Sequence, residues 1–263
     1  MSSLAHAAAD SMTMLRRNLT HALRYPAMTV SVVAMPVMML LLFTYAFGGA
    51  LGAGIGAAPG GDGAYIDYLA PGIILMTATA GSVATAVGVC VDMTEGIVNR
   101  FRTMSLSRAA FLTGHVAGSV VQTLIALALV IGVALAIGFR PDATAVEWLA
   151  AFGLLAFLAL GLTWLSAGIG LVSRTPESAS NTPLPLTFLP FLGSAVVPTD
   201  SMPTALRWFA EYQPFTPAVE TLRGLLMGTP IGNSGYLALA WCAGLTAVGY
   251  LWSRSAFGRS AKR

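Results

Sequence analysis

The chain alternates between long apolar runs and short polar interruptions, and no interruption is long enough to fold as a soluble unit of its own. A helix needs about 20 apolar residues to cross roughly 30 Å of hydrocarbon. Runs of that order recur at 27–49, 68–91, 116–138, 148–172, 182–198 and 236–252. The pattern therefore predicts an all-α, polytopic membrane protein with about six transmembrane helices. The fifth run is the shortest and carries Pro183, Pro185 and Pro190, ending at Pro198. Proline removes a backbone donor, so the carbonyls freed along this span need partners inside the protein. Two readings of it stand side by side: a moving or route-lining element, and a kinked, packed helix.

Outside the long runs the periodicity changes. Over 10–25, Met12, Leu15, Leu19 and Leu23 recur at helical intervals among Arg16, Arg17, His21 and Arg24, which predicts an amphipathic helix on the inner membrane surface. Over 216–228, Val219, Leu222 and Leu226 keep helical spacing with Glu220 and Arg223 one turn apart. That segment is too short and too polar to span, so it predicts an external interfacial or re-entrant helix stopped by Gly228, with Glu220 and Arg223 as candidate residues holding it in place. Between the first two spans, GAGIGA from Gly52 to Ala57 imitates a dinucleotide-binding turn, but a membrane span precedes it where that motif needs a strand, and Pro59-Gly60-Gly61 follows where it needs a helix. A flexible external loop is the expectation there.

Composition supports one transmembrane domain over 1–263: a cytoplasmic amphipathic segment at 1–26, a membrane core at 27–252 and a basic tail at 253–263. Of the 263 residues, 56% are hydrophobic and only 10% charged, and a mean hydropathy of +0.75 is too apolar for a soluble surface. His6, Asp10, Arg16, Arg17, His21 and Arg24 precede the first run, where a secretory signal would already place its apolar core, so the first span is expected to stay in the mature protein. Six spans put both ends on one side, and that side collects most of the basic residues, from Arg16 through Arg100 and Arg174 to Arg263. Arg140, Arg207 and Arg223 fall on the other. Basic loops are retained on the cytoplasmic side, so both termini are predicted there, in a multi-pass protein of the inner (cytoplasmic) cell membrane. The pI near 9.1 then reflects topology and contact with anionic lipid, not nucleic acid.

Several chemistries lack their residues. Cys90 and Cys242 fall at or within spans, and His6, His21 and His115 have no ligand spacing, so neither a disulfide framework nor a metal site is expected. The sole lysine is Lys262, in SAKR, so the phosphate-binding GxxxxGK[ST] loop of an ATPase is missing. Nothing in the spans combines nucleophile, base and acid, and the chain is read as no enzyme. An ion-coupled secondary transporter needs ionisable groups inside its spans, and these lie only at span margins; that reading and a non-catalytic membrane adaptor are the alternatives. In the second span Thr77, Ser82 and Thr85 carry hydroxyls among small residues that let helices approach closely. With Pro190 they form the candidate route, against the alternative of packing alone.

The most charged interruption is VDMTEGIVNRFRTMSLSRAAF at 91–111. Asp92 or Thr94 is placed to cap a short helix, Glu95 suits its first turn, and Arg100 and Arg102 suit its end. Ile97, Phe101 and Met104 share one face. The segment reads either as a solvated positive-inside loop or as a docking helix for a soluble partner.

Here the sequence resembles a known family. DMTEGIVNRFRTM from Asp92, followed by a span ending IGFR at Arg140, is similar to the membrane subunit of type-2 ABC transporters, and YQPFTPAVETLRGLLMG from Tyr212 to Gly228 is similar to that family's external helix, notably in its daunorubicin and multidrug-resistance branch. Ser105 stands where relatives commonly carry proline. The resemblance implies a permease that pairs with a second copy or a paralogue, each resting on an ABC ATPase subunit that binds ATP and magnesium; this chain would bind no cofactor. It also implies that the charged segment is a cytoplasmic coupling helix. Ile97, Phe101 and Met104 would then insert into the ATPase, with Glu95, Arg100 and Arg102 at the rim. The implied function is ATP-driven export of a hydrophobic or amphipathic compound, such as a drug, lipid or secondary metabolite.

Overall fold

The computed structural model describes residues 26–49, 62–94 and 108–260, with side chains over 32–49, 65–94 and 112–258. These residues form helices and turns, with no strand among them. In chain order they are α1 (Pro26–Leu41), continued by a wider π turn at Leu42–Ala46, then α2 (Asp62–Thr94), α3 (Arg108–Ile137) and α4 (Ala145–Val172). After them come α5 (Pro176–Asn181), α6 (Leu184–Phe188), a 3₁₀ turn at Leu189–Leu192 and another at Thr199–Ser201. The chain closes with α7 (Thr204–Tyr212), α8 (Phe215–Met227) and α9 (Ser234–Ser260). The amphipathic stretch at 10–25, the glycine-rich loop and the charged segment at 95–107 lie outside the described residues.

Four stretches are long and apolar enough to cross a membrane: Tyr65–Thr94, Leu112–Ile137, Ala145–Val172 and Ser234–Gly258. The shortest of them has 25 residues, about 37 Å at 1.5 Å per residue, which exceeds the hydrocarbon thickness. Val32–Ala46 is a shorter apolar helix. α2 is the central element, packed against α1, α3, α4 and α8. Its consecutive residues Ile73, Ile74 and Leu75 are all fully buried, which requires neighbours on every side of the helix. α9 lies outside, with Tyr236 80% and Leu251 63% exposed, as a lipid-facing surface requires.

Small residues set how these helices run. A Cβ on Gly170 of α4 would overlap the Ala86 carbonyl of α2, and Cβ atoms on Gly161 and Gly168 would press on Thr246 and Ser253 of α9. The paired numbers rise together, so α2, α4 and α9 run in one direction. Gly81 meets Thr123 and Asp92 meets His115, so α3 runs the opposite way to α2. Lipid chains are as apolar as leucine, so such close backbone approach, with its dispersion contacts, is what holds helices together in a bilayer.

The fifth predicted span, 182–198, departs from a rod. Pro183 immediately precedes α6 and Pro185 sits in its first turn, where a missing N–H costs nothing; Pro190 then lies in the 3₁₀ turn, and the chain continues irregularly to Pro198. One short helix is thereby replaced by several pieces. The broken segment still travels the length of α2. Where the chain leaves α4, the Cys90 thiol donates to the Ser173 carbonyl at 3.7 Å, and near the end of the broken segment the Tyr68 hydroxyl donates to the Ser194 carbonyl at 3.1 Å. Cys90 and Tyr68 lie six turns apart on α2, about 33 Å along the axis.

Element ends add detail. α2 continues to Thr94, so Asp92 and Thr94 occupy its last turn, and the helix they are expected to cap, from 95 on, lies outside the described residues. Thr94 Oγ1 donates back to the carbonyls of Cys90 and Val91, and Asp92 bonds His115. α4 opens on a reciprocal cap in which the Thr144 backbone N–H donates to Glu147 at 2.7 Å and Glu147 N–H donates to Thr144 Oγ1. A helix is found over the predicted 216–228 segment as α8 and stops at Gly228, whose φ of 68° is the left-handed conformation glycine adopts freely. An additional short helix, α7, precedes it; there Arg207 pairs with Asp200 and Glu211, both at 2.6 Å.

One close backbone approach tests this packing. A Cβ on Gly72 would overlap the carbonyl and Cα of Ala195, whereas one on Gly132 meets nothing within 4 Å. Gly72→Ala should lower stability by about 1–3 kcal/mol, as overpacking against backbone does. Gly132→Ala should leave it unchanged or raise it by about 0.5–1 kcal/mol. Thermal unfolding of the purified chain in detergent separates the two; equal midpoints would refute the contact between the broken segment and α2.

Candidate functional site

The broken segment creates a problem that the opposite helices solve. Backbone groups outside regular hydrogen bonding have no water partner in a bilayer, so side chains must supply the missing bonds. At the Tyr68 end of the bundle they do. Gln213 Nε2 donates to the Leu189 carbonyl at 2.9 Å, and the Ser194 N–H donates to Thr216 Oγ1 at 3.2 Å. The Ser194 carbonyl accepts from Tyr68 at 3.1 Å and from Arg223 Nη2 at 2.9 Å. A Cβ on Gly193 would collide with both Gln213 and Thr216, so only glycine lets them come this close.

Arg223 joins three elements. From α8 it reaches the Ser194 carbonyl of the broken segment and the Tyr68 carbonyl of α2, the latter through Nη2 at 3.1 Å and Nε at 3.4 Å. Its Cζ lies 3.8 Å from the centroid of the Tyr68 ring, a cation–π contact. Pro71 lies inside α2 one turn on, and with no N–H to offer it opens the ladder in the turn that holds Asp67 and Tyr68. Arginine suits the task because its planar fork presents several donors in fixed directions and stays charged. Burial pulls its pKa below the usual value, while Tyr68 and Glu220 push it back up.

Glu220, predicted beside Arg223, takes a different partner: its carboxylate accepts from Ser234 Oγ at 2.8 Å, tying α8 to α9. The two residues thus hold α8 from opposite sides. Beside that tie lies a cleft of about 470 Å³ between α4, α8 and α9, lined by Gly153, Leu154, Thr221, Leu225, Gly235 and Leu239. The lining is almost wholly apolar.

The hydroxyl residues of α2 are enclosed. Thr77 is 0%, Ser82 1% and Thr85 3% exposed. Thr77 Oγ1 donates to the Ile73 carbonyl and Ser82 Oγ to the Thr79 carbonyl, while the Thr85 hydroxyl has no hydrogen-bond partner among the described residues. The Gly170 contact with Ala86 sets a register that brings Thr163 and Ser166 of α4 level with Thr79 and Ser82. Pro190 is buried in its 3₁₀ turn, and the broken segment borders α2 along α6 and that turn.

At the other end, Glu95, Ile97, Arg100, Phe101, Arg102 and Met104 lie outside the described residues, but both helices that carry them are seen. His115 Nε2 and Asp92 Oδ2 are 2.7 Å apart, and both residues are buried. Around them Val89, Leu112, Val116, Trp164, Leu171 and Phe257 form an apolar cluster drawn from α2, α3, α4 and α9. Residue types alone pointed to Asp92 as a cap; the antiparallel register of α2 and α3 was the signal for this pairing.

Comparison with known proteins places the fold. The sequence pattern of one family, described as ABC-2 type transporter, matches residues 10–227. The daunorubicin resistance ABC transporter permease protein DrrB1 of Streptomyces coeruleorubidus is 29% identical over 245 residues, covering 93% of this chain and 84% of that protein. The probable doxorubicin resistance ABC transporter permease protein DrrC of Mycobacterium tuberculosis is 23% identical over 180 residues, covering 68% of this chain and 65% of its own length.

The shared carbonyl gives a sharp test of the Arg223 site. Tyr68→Phe or Arg223→Met alone leaves Ser194 one side-chain donor, and each should cost about 1–3 kcal/mol. The double variant leaves none and should cost more than the sum. Additive unfolding free energies in detergent would show that the two side chains act on separate groups.

Proposed function

The chain belongs to the ABC-2 type transporter family as a membrane permease, and from that premise we propose that it is the transmembrane half of an ATP-driven exporter. The carrying observation is the stretch from Ser173, at the end of α4, to Ser194 in the broken segment, tied to opposite ends of α2 at Cys90 and Tyr68. This supports a fifth crossing and, with α1 as the first, six in all. The basic residues then lie at the Cys90 end, which is the cytoplasmic one, and the Arg223 site faces outward.

In this reading each chain pairs with a second copy or a paralogue and rests on a separate ATPase subunit that binds ATP and magnesium. The charged segment at 95–107 hangs from the cytoplasmic ends of α2 and α3, where a soluble partner reaches it. Ile97, Phe101 and Met104 dock in the ATPase, and Glu95, Arg100 and Arg102 line the rim. Closure of the ATPases moves the membrane halves and alternates access to the route. A segment held by a few directional bonds changes position in steps, which suits such a motion better than a lipid-facing rod.

Drug-resistance permeases among the relatives support a hydrophobic or amphipathic cargo. The apolar cleft beside α8 fits such a compound better than an ion, while Thr77, Ser82 and Thr85, enclosed in this structure, border the route only once the helices packed on α2 move apart. The chain itself contributes a path, not catalysis.

Docking is tested by substitutions that spare the membrane core. Phe101→Ala and Ile97→Asp should leave insertion intact and reduce recovery of the ATPase subunit by cross-linking and co-purification at matched expression. Undiminished association in both would contradict the docking role.

A further inference from the structure

The buried Asp92–His115 bond lies apart from the Arg223 site. It stands in the last turn of α2 and the second turn of α3, next in sequence to 95–107. An apolar cluster drawn from α2, α3, α4 and α9, including Val89, Leu112 and Val116, packs at the same end of the bundle. Apolar contacts between membrane helices are non-directional, and lipid competes for them, so they let helices slide or splay. A short polar bond in a low-dielectric setting is directional and costly to break. At 2.7 Å, with both residues at least nine-tenths buried, this bond fixes the register and spacing of α2 against α3.

We infer that Asp92 and His115 are positioning residues that couple nucleotide-driven movement to the membrane core: they clamp α2 and α3 so that force on the charged segment shifts both helices together. Without the clamp the same force spreads the two helices at their base. With it, α2 moves as a lever, and its far end carries Tyr68, which holds Arg223 and Ser194. The register along α2 supports transmission, since Gly81 lies against Thr123 of α3 and Gly72 against the Ala195 backbone of the broken segment. This assignment rests on the docking role proposed for 95–107.

The test uses the full chain in complex with the ATPase subunit that co-purifies with it, reconstituted in phosphatidylglycerol-containing vesicles. Spin labels at the exposed positions Ala145 and Ser201 report the outer end by their distance distribution, with and without ATP plus vanadate. In the parent chain the nucleotide should shift the distribution. Asp92→Ala and His115→Ala should retain the ATPase subunit and ATP hydrolysis but lose the shift. The exchanged pair, D92H with H115D, should restore it by rebuilding the bond in the opposite sense. A parental shift preserved in both single variants, no shift in the parent, or no restoration in an exchanged variant that still binds the ATPase would overturn the inference. Loss of ATPase binding in the single variants would also overturn it, by making the pair part of the docking surface. The docking role fails separately, if Phe101→Ala and Ile97→Asp leave association unchanged.

Discussion

Capture of the Ser194 and Tyr68 carbonyls by one guanidinium is the interaction on which the Tyr68 end of the bundle depends. The prolines of the fifth segment leave backbone groups that neither lipid nor a helix ladder satisfies, and each such group buried alone costs about 1–3 kcal/mol. Arg223, Tyr68, Gln213 and Thr216 supply the missing bonds from α2, α8 and the turn before it. The result is a backbone held at fixed points by side chains of other elements. Such a segment is stable in place and yet separable, since a few bonds exchanged together release it.

The rest of the bundle answers to a different constraint. Where helices are regular, their backbone needs nothing from outside, and glycine sets how closely they lie. Gly170 against Ala86 and Gly168 against Ser253 bind α4 between α2 and α9. The two regimes meet at Gly72, where regular α2 touches the irregular stretch at Ala195. Motion passed along α2 therefore reaches the broken segment through backbone contact, and reaches Arg223 through Tyr68.

Much of this was legible in the residue pattern, for identifiable reasons. Crossing helices announce themselves by apolar length, and α8 by amphipathic spacing followed by Gly228. The prolines of 182–198 correctly signalled freed carbonyls, but the partners lie 24 to 126 residues away, beyond any local rule. Glu220 and Arg223 look like an ion pair at helical spacing, yet α8 packs between α2 and α9 and turns them toward different neighbours. Asp92 was readable from its own stretch only as a cap; the contact with His115 depends on the antiparallel register of α2 and α3. The cap at Thr144 and Glu147 was readable from spacing alone and marks the start of α4 more sharply than hydropathy does.

The central claim is that the segment after α4 carries the chain across the membrane although no continuous helix does so. Single cysteines at Arg174 and Ser201, both exposed and flanking the segment, test it directly in intact cells with a membrane-impermeant maleimide. The account predicts that Ser201→Cys reacts from outside and Arg174→Cys only after the membrane is opened. Labelling of both from the same side would contradict it.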